Sequence, residues 1–212
     1  MASRTLTATP SPETSSPEGT PTADRRHDIL AAALACAIQA GVESISIERV
    51  RAHCGASVGS IYHHFGSREG IVAALFFDIF HEQSRHIQAQ LAAAQAPENG
   101  VRALVTGYLD WVVARPEQAR FLFQARSVVA GGPRAGDLAE SAHRRNQALL
   151  DWFEPHRQSG VVTEVPCELM PSLVMGPVQS YCRAWLSGGS SLPSPETYRA
   201  ELATAAWKAV RA

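Results

Sequence analysis

The sequence predicts an all-α protein of about nine helices. Apolar residues recur at steps of three and four through most of the chain, and glycine or proline separates one periodic stretch from the next. No alternation of apolar and polar residues is long enough to predict a strand, and residues 160–165 are predicted to form a loop. The 212 residues are enough to bury a sizeable core, so the fold does not depend on disulfides or metals.

Residues 1–22 differ in composition from the rest of the chain. They are mostly Ser, Thr and Pro, with Arg4 as the one side-chain cation and very few apolar side chains. Such a segment cannot bury enough surface to offset the entropy lost on folding, so we predict that it is disordered. Whether this tail has a function of its own stays open.

The first helix is predicted to begin at Asp24, a plausible N-cap, and to end at Gly41. Its apolar side chains recur at helical spacing and form one stripe, which consists of Ile29, Leu30, Ala33, Leu34, Ala37 and Ile38. A helix with one apolar face packs by that face against its neighbours. We therefore expect it to support the shorter helices that follow.

Two short helices and a long one come next. Ser46 is the predicted N-cap of the first, which ends at Gly55; the second begins near Ser57 and the long helix begins at Ser67. The inward residues of the short helices are Ile47, Val50, Cys54, Ile61 and Phe65. Two short helices joined by a glycine-containing turn make a helix-turn-helix unit. Because many helical bundles contain such a pair, the pattern alone leaves DNA binding open.

The remainder of the chain is predicted as helices separated by proline and glycine. Their expected starts are Pro97, Pro116, the end of the Gly131-Gly132-Pro133 loop, Pro166 and Ser194-Pro195. The helix after the glycine loop should stop near Gly160, and the Pro166 helix should run to Leu186 with a kink at Gly176-Pro177. This part therefore adds a larger helical body to the first four helices.

Composition excludes several classes of protein. The net charge is −1, and no run of about 18 apolar residues predicts a membrane span. The N-terminus lacks the apolar segment of a signal peptide, so we expect a cytoplasmic protein with no membrane partner. The spacing of Cys36, Cys54, Cys167 and Cys182 fits neither a zinc site nor a disulfide framework. No motif of a phosphate loop, esterase or metalloprotease is present, so we expect no enzyme activity, cofactor or metal.

The block from Asp24 to about Leu75 carries a specific set of residues in a fixed order. They are Gly41, Ser46, Gly55, Ser57, Gly59, Ser60, Ile61, Tyr62, Phe65, Ser67 and Arg68. This block resembles the DNA-binding domain of TetR-family transcriptional regulators. The resemblance implies a helix-turn-helix DNA-binding domain at 23–67 and a ligand-binding and dimerisation domain at 68–212. It further implies a homodimer on palindromic double-stranded operator DNA, usually a repressor, released by a small-molecule effector.

The resemblance also implies which residues contact DNA. The helix from Ser57 to His64 would enter the major groove, Tyr62 and Arg68 would contact phosphates, and Gly59 would allow close approach. The full set of expected DNA-binding residues is Ser46, Ser57, Val58, Gly59, Ser60, Tyr62, His63, His64 and Arg68. We expect base recognition at the leading end of this helix and phosphate contacts around it.

Three residues depart from the pattern that the family usually shows. Arg51 stands where a small alanine is usual, so either its side chain points outward or the packing of its helix differs. Val58 stands where lysine is common, which removes a cation and presents an apolar group that could read a thymine methyl. Gly70 replaces a better helix former in the first turn of the long helix. These departures weaken any transfer of base specificity from the family.

The charge of the DNA-binding block is balanced, which is unusual for a surface that contacts phosphates. Residues 24–69 contain five arginines and five acidic residues. Because phosphate contacts usually rely on cations, protonated His63 and His64 could supply part of the missing charge. We therefore expect operator affinity to weaken as the pH rises from about 6 to about 8. The alternative is that His64 packs at the edge of the domain while His63 is a neutral contact.

Two further sets of residues follow from the resemblance. A mostly apolar effector is expected to contact residues of the middle helices, namely Phe76, Phe80, Tyr108, Trp111, Phe121, Gln124, Trp152, Met175 and Gln179. The last two helices are expected to form the dimer interface through Leu173, Pro177, Tyr181 and Trp207. For each residue the alternative is ordinary core. For the whole chain it is a helical ligand-binding or interaction protein that has lost DNA recognition.

Overall fold

The computed structural model describes residues 22–188 and 191–212, and this part of the chain folds into nine α-helices. Two 3₁₀ turns, Val42–Ser44 and Pro195–Tyr198, precede α2 and α9. The helices are α1 (Thr22–Ala40), α2 (Ile47–Cys54), α3 (Val58–Phe65), α4 (Arg68–Ala92), α5 (Pro97–Ala114), α6 (Pro116–Ala130), α7 (Ala135–Gln158), α8 (Met170–Leu186) and α9 (Arg199–Val210). The predicted all-α fold is confirmed. The predicted disordered tail lies outside the described residues, apart from Thr22.

Three serine caps set the starts of α2, α3 and α4. The hydroxyl oxygens of Ser46, Ser57 and Ser67 accept hydrogen bonds from the backbone N–H three residues ahead, at 3.2, 3.1 and 3.0 Å. Each cap satisfies a backbone donor that the first turn of a helix leaves without an intrahelical partner. Gly55 ends α2 in the left-handed conformation, with φ of 65°. The predicted starts of all three helices are therefore confirmed.

Two predictions about α1 are wrong. The helix begins at Thr22, so Asp24 lies in its first turn, where its carboxylate faces the positive end of the helix dipole. Ile38 was expected on the apolar stripe but is 50% exposed, whereas Ala37 in the same last turn is buried, so the covered face of α1 passes through Ala37 and leaves Ile38 in solvent. The other stripe residues are buried or half-buried.

The first three helices pack around a small apolar core of their own. Ile29, Val50 and Ile61 come from α1, α2 and α3 in turn, and all three are fully buried. Ile71 at the start of α4 is also fully buried and extends this core. The outward faces of α2 and α3 are thereby fixed relative to α4.

Helix α4 connects the N-terminal helices to the rest of the chain. Seven consecutive residues near its start, Ile71 to Phe77, are buried, because this part of α4 is covered on several sides. It packs against α1 and α3 near its beginning and against α5 and α6 along its length. Helices α1 to α3 and the larger helical body therefore share one continuous element.

The second half of the chain surrounds α5. Helix α5 packs against α4, α8 and α9, while α7 packs against α6 and α8. Helix α8 begins at Met170 and not at the predicted Pro166, since residues 166–169 form a turn in which the Leu169 N–H donates to the Pro166 carbonyl at 2.9 Å. No helix in the described residues is long and apolar enough to cross a membrane.

The predicted loop at 160–165 pairs with the end of the chain. Val162 forms an antiparallel bridge with Arg211, and the Thr163 N–H donates to the Val210 carbonyl at 2.8 Å. The last helix begins at Arg199 and not at the predicted Ser194-Pro195, because the Ser194 hydroxyl, which accepts from the Glu196 N–H at 3.4 Å, caps the 3₁₀ turn Pro195–Tyr198. That cap begins the 3₁₀ turn that leads into α9.

Candidate DNA-binding surface and ligand cavity

Helix α3 has one buried side and one exposed side. Ile61 is fully buried and Phe65 half-buried, whereas Val58 and Tyr62 are 45% and 52% exposed. Ser57, Gly59 and His63 are exposed too, and Ser60 and His64 are half-buried. Large apolar and aromatic side chains left in solvent on one side of a helix are typical of a binding surface.

The hydroxyl groups on this side differ in hydrogen-bonding capacity. Ser57 uses its hydroxyl oxygen as acceptor for its own helix, which leaves the hydroxyl proton able to donate to another group, whereas the Ser46 hydroxyl also hydrogen-bonds the Glu48 carboxylate. The phenol of Tyr62 forms no hydrogen bond within the described residues and is solvent-exposed. Donors of this kind suit a partner that offers acceptor oxygens.

The two histidines have different surroundings. His63 is exposed, and its ring centroid lies 5.5 Å from that of His64. His64 is half-buried and lies 5.9 Å from the ring of Phe65, at the edge of the α3 packing. The two side chains are thus not equivalent, and His63 is the more accessible of the pair.

Arg68 is held within the chain, contrary to the expectation that it is free to bind phosphate. Its Nε donates to the Ile45 carbonyl at 2.8 Å, and one terminal nitrogen donates to the Val42 carbonyl at 3.2 Å. The same terminal nitrogen lies 2.9 Å from Glu43, and the other lies 3.5 Å from Glu69. This side chain therefore ties the turn before α2 to the start of α4, and its expected phosphate contact is not supported.

Two other arginines are better placed to meet an anion. Arg49 and Arg51 are exposed on α2, and neither forms an ion pair with a residue in the described ranges. Of the two alternatives for Arg51, the structure favours the outward one, because the side chain lies in solvent and α2 packs by Ile47 and Val50. The available positive charge near α3 thus comes from α2.

Two adjoining cavities lie in the second half of the chain, among α4, α5, α6, α7 and α8. Their volumes are about 290 and about 300 Å³, the lower end of the range for small-molecule sites. Four residues line both cavities: Gln83, Tyr108, Arg145 and Gln179. The first cavity is otherwise largely apolar, and the second contains Phe76, Phe80 and two more arginines.

The shared wall of these cavities is electrostatically unusual. Burial lowers the pKa of Arg145, and the nearby positive charge of Arg126 lowers it further. Burial also raises the pKa of the Tyr108 phenol well above its ordinary range, against the opposing effect of Arg183 and Arg145. Tyr108 is therefore a neutral hydroxyl that faces a buried cation.

The last two helices carry a partly exposed apolar surface. Pro177 is exposed, and Leu173, Tyr181 and Trp207 are half-buried. The Tyr181 hydroxyl donates to the Pro193 carbonyl at 3.0 Å, and its ring packs edge-on against Tyr198. The four residues expected at a dimer interface thus lie on α8 and α9, at or near the surface.

The N-terminal helices match a known family. Residues 29–75, from α1 to the beginning of α4, match the family described as bacterial regulatory proteins, tetR family. Residues 29–75 belong to the tetR family. Members of this family are DNA-binding transcriptional regulators and not enzymes, so the resemblance and the absence of enzymatic motifs agree. Helices α2 and α3 are the helix-turn-helix of this family.

Curated relatives and solved structures agree with this assignment. The transcriptional repressor AcnR of Corynebacterium jeikeium is 32% identical over 100 residues, which cover 46% of this chain and half of that protein. AcnR of Corynebacterium glutamicum is 28% identical over 183 residues, 73% of this chain and 92% of the relative. A tetR-family regulator from Marinobacter aquaeolei VT8 superposes with a TM-score of 0.69 at 19% identity, covering 89% and 96% of the chains. At that identity the structural likeness shows the fold.

The cavities contain some of the residues expected in a ligand pocket. Phe76, Phe80, Tyr108, Met175 and Gln179 line one or both. The other four, Trp111, Phe121, Gln124 and Trp152, line neither.

Each of those four residues has a different position. Trp111 and Phe121 are buried in the core, at 1% and 2% exposure. Gln124 is exposed and borders a shallow groove beside Arg120. Trp152 packs over Gly100, where an added Cβ would lie 1.9 Å from its ring. The expectation that these side chains contact the ligand is not supported.

Sequence reasoning did not anticipate the cavity arginines. Arg145 lies seven residues after Leu138 and four before Leu149, two buried residues of the same helix face. A charged residue on the apolar stripe of a helix was a usable signal, because such residues are rarely buried without a reason. Arg126 and Arg183 have no comparable signal, since each lies on a mixed helix face.

Proposed function

We propose that this chain is a ligand-responsive repressor that binds a palindromic operator as a homodimer and leaves it when a small molecule occupies the cavities. The observation that carries the proposal is the exposed side of α3, where Val58, Gly59 and Tyr62 lie in solvent. The opposite side of the same helix is held in the core by the buried side chain of Ile61. In a helix-turn-helix the second helix is the one that enters the major groove.

Phosphate binding would come from several weak donors. Arg49 and Arg51 offer cations on α2, and the hydroxyls of Ser57 and Tyr62 offer protons. Phosphate contacts provide much of the affinity of such complexes and make it depend steeply on salt. With few free cations, we expect a salt dependence that is shallower than that of strongly basic repressors.

Dimerisation would use α8 and α9. These helices pack against each other and leave Pro177 and Tyr198 exposed. A two-fold dimer must place its two α3 helices roughly 34 to 36 Å apart to reach successive major grooves. Small changes in the angle of α4 would alter that separation.

Helix α4 provides the physical link between ligand and DNA. Near its start it packs against α1 and α3, and further along Gln83 lines both cavities. A ligand that binds one position of α4 better than another shifts the balance between the DNA-binding and released states. The coupling is reciprocal, so operator DNA should weaken ligand binding by the same factor.

Replacing Tyr62 with phenylalanine is expected to weaken operator binding at least about tenfold, because a hydrogen bond to a charged group contributes roughly 1.5–3 kcal/mol. Ser127→Ala is the control, since it removes an exposed hydroxyl from α6, outside α3 and outside the helices expected to form the dimer interface. Fluorescence anisotropy with a labelled operator duplex measures both. Equal affinities for Tyr62→Phe and wild type would show that the phenol makes no phosphate contact.

The expected pH dependence concerns the same surface. We expect affinity to fall between about pH 6 and pH 8, because a protonated imidazole is attracted to phosphate and a neutral one is not. His63→Gln should flatten the profile, whereas His143→Gln, exposed on α7, should leave it unchanged. Anisotropy titrations at several pH values test this. A wild-type affinity that is constant across the range would exclude a role for histidine charge.

A second candidate function is a helical ligand-binding protein without DNA recognition. The balanced charge of residues 24–69 and the apolar Val58 favour it. The two candidates differ at low salt, where a DNA-binding protein of this family should retard operator DNA in a gel. No retardation of any genomic fragment at low salt would favour the second candidate.

A further inference from the structure

The wall shared by the two cavities brings four polar side chains together from four helices. Gln83 comes from α4, Tyr108 from α5, Arg145 from α7 and Gln179 from α8. Side chains that can donate hydrogen bonds thus converge on one region between the two cavities, the first of which has other walls that are largely apolar. A few convergent polar groups in an apolar pocket typically fix the orientation of a ligand.

The charge of this region is strongly one-sided. Arg126, Arg145 and Arg183 all line the second cavity, and none of the described Asp or Glu residues lines either cavity. Within the described ranges, none of the three arginines forms an ion pair. The neighbouring Arg144 behaves differently, since it points to solvent and pairs with Glu140.

Burying a guanidinium without a counter-charge is costly, and an arginine does not escape that cost by losing its proton. Arg145 lies with its guanidinium carbon 5.1 Å from the centroid of the Phe80 ring, and Arg183 lies 5.3 Å from that of Phe123. Such cation–π contacts compensate only part of the lost hydration. Retaining Arg145 at this largely buried position therefore costs stability, which points to a functional reason for it, whereas Arg126 and Arg183 are exposed and add positive charge at lower cost.

We propose that the ligand is an organic anion whose charged group is bound by Arg145, with Tyr108 and Gln179 beside it, and whose apolar body lies among Leu91, Leu104 and Leu149. This inference rests on the proposed function for the regulatory consequence of binding, but not for the binding itself. Guanidinium binds carboxylate and phosphate through the same paired hydrogen bonds, so the shared chemistry is a planar or tetrahedral oxyanion on an apolar body.

The expected effector is then an amphiphilic anion and not the mostly apolar molecule that the sequence predicts. A mostly apolar ligand would have no use for three cations, whereas an amphiphilic anion uses both halves of the site. A bound anion would also contact Gln83 of α4, which lines both cavities beside Arg145. The charged group of the ligand would therefore act at the helix that leads to the DNA-binding domain.

The test compares decanoate, decyl phosphate and decanol as ligands of the full chain without DNA, by calorimetry and by thermal stabilisation. Wild type is expected to bind at least one of the two anions at least ten times more tightly than decanol, and the better anion assigns the head group. Arg145→Met should remove that preference, Arg145→Lys should keep part of it, and Arg144→Met should leave it unchanged. Ligand-free Arg145→Met should also melt at a higher temperature than wild type, because an unpaired buried charge is gone.

Two results would overturn the inference. One is equal binding of the anions and decanol, or binding of none of them, by wild type. The other is an Arg145→Met protein that keeps the anion preference or melts below Arg144→Met. Operator binding by the ligand-free proteins is measured separately. A chain that prefers anions but binds no DNA would contradict the proposed function, while the inferred class of ligand would still hold.

Discussion

Gly59→Gln is expected to lower operator affinity by at least about 100-fold, roughly 2.7 kcal/mol, while the protein stays folded. Gly59 is exposed near the start of α3, and its φ is not positive, so an L side chain fits the backbone. A Cβ added there would meet no described atom within 4 Å, so the chain itself has room for a larger residue. On DNA the same side chain would hold α3 away from the base edges.

A graded series and a matched control separate DNA contact from folding. Gly59→Ala should raise stability by about 0.5 kcal/mol, since alanine is the better helix former, yet should already weaken DNA binding. Gly136 is the second residue of α7, as Gly59 is of α3, and it too is exposed with open space around its Cβ position. Gly136→Ala should show the gain in stability alone. Anisotropy and thermal denaturation measure the two effects, and unchanged DNA affinity in Gly59→Gln would contradict close approach of α3.

Gly70→Ala is expected to destabilise the chain by roughly 2–3 kcal/mol, the upper part of the range for overpacking. A Cβ at Gly70 would lie 1.9 Å from the carbonyl oxygen of Phe65, the last residue of α3. A backbone atom cannot move aside as a side chain can, so α3 and α4 would have to separate. DNA affinity should fall with stability, because the position of α3 depends on this turn.

Thermal and denaturant unfolding of the ligand-free protein measure this effect. Glu69→Ala is a suitable neighbour control, since its side chain is 45% exposed and its loss removes contacts with Arg68, Ser67 and the first turn of α4 but adds no atom near Phe65. Stability of Gly70→Ala equal to that of Glu69→Ala would show that the α3–α4 turn accepts a side chain. Gly70 would then only weaken the first turn of α4 relative to alanine, and its lack of a side chain would not be needed for the approach of Phe65.

Local signals explain why the N-terminal fold was predictable. Ser46, Ser57 and Ser67 each cap a helix within three residues of their own position, and Gly55 adopts the turn conformation that its residue type favours. These interactions depend only on neighbouring residues. The helix starts therefore followed from the sequence, and the apolar spacing assigned their buried sides.

Contacts between distant residues explain where prediction failed. Arg68 bonds the carbonyl of Ile45, 23 residues away, and no local pattern indicates that contact. Ile38 continues the apolar spacing of α1 but lies beside the covered face, which includes its neighbour Ala37. Gly70 was interpreted as a poor helix former, whereas its lack of a side chain allows the tight approach of Phe65.

The ligand site was only partly predictable for a related reason. Trp111 and Tyr108 are both apolar-spaced aromatic residues of α5, but only Tyr108 faces the cavities. Which part of a buried face is packed and which part borders a cavity depends on the arrangement of five helices. The position of Arg145 in the cavity wall was not predicted, because its burial depends on how α7 packs against α8.

The central claim, that α3 reads DNA, is tested most directly by selecting fragmented genomic DNA with the purified chain at low salt. The wild-type protein is expected to enrich a small set of fragments that share an inverted repeat, with half-sites about one helical turn apart. Gly59→Gln should enrich none of them, while Gly136→Ala should recover the same set as wild type. Enrichment of no fragments by wild type, or of the same fragments by Gly59→Gln, would contradict the claim.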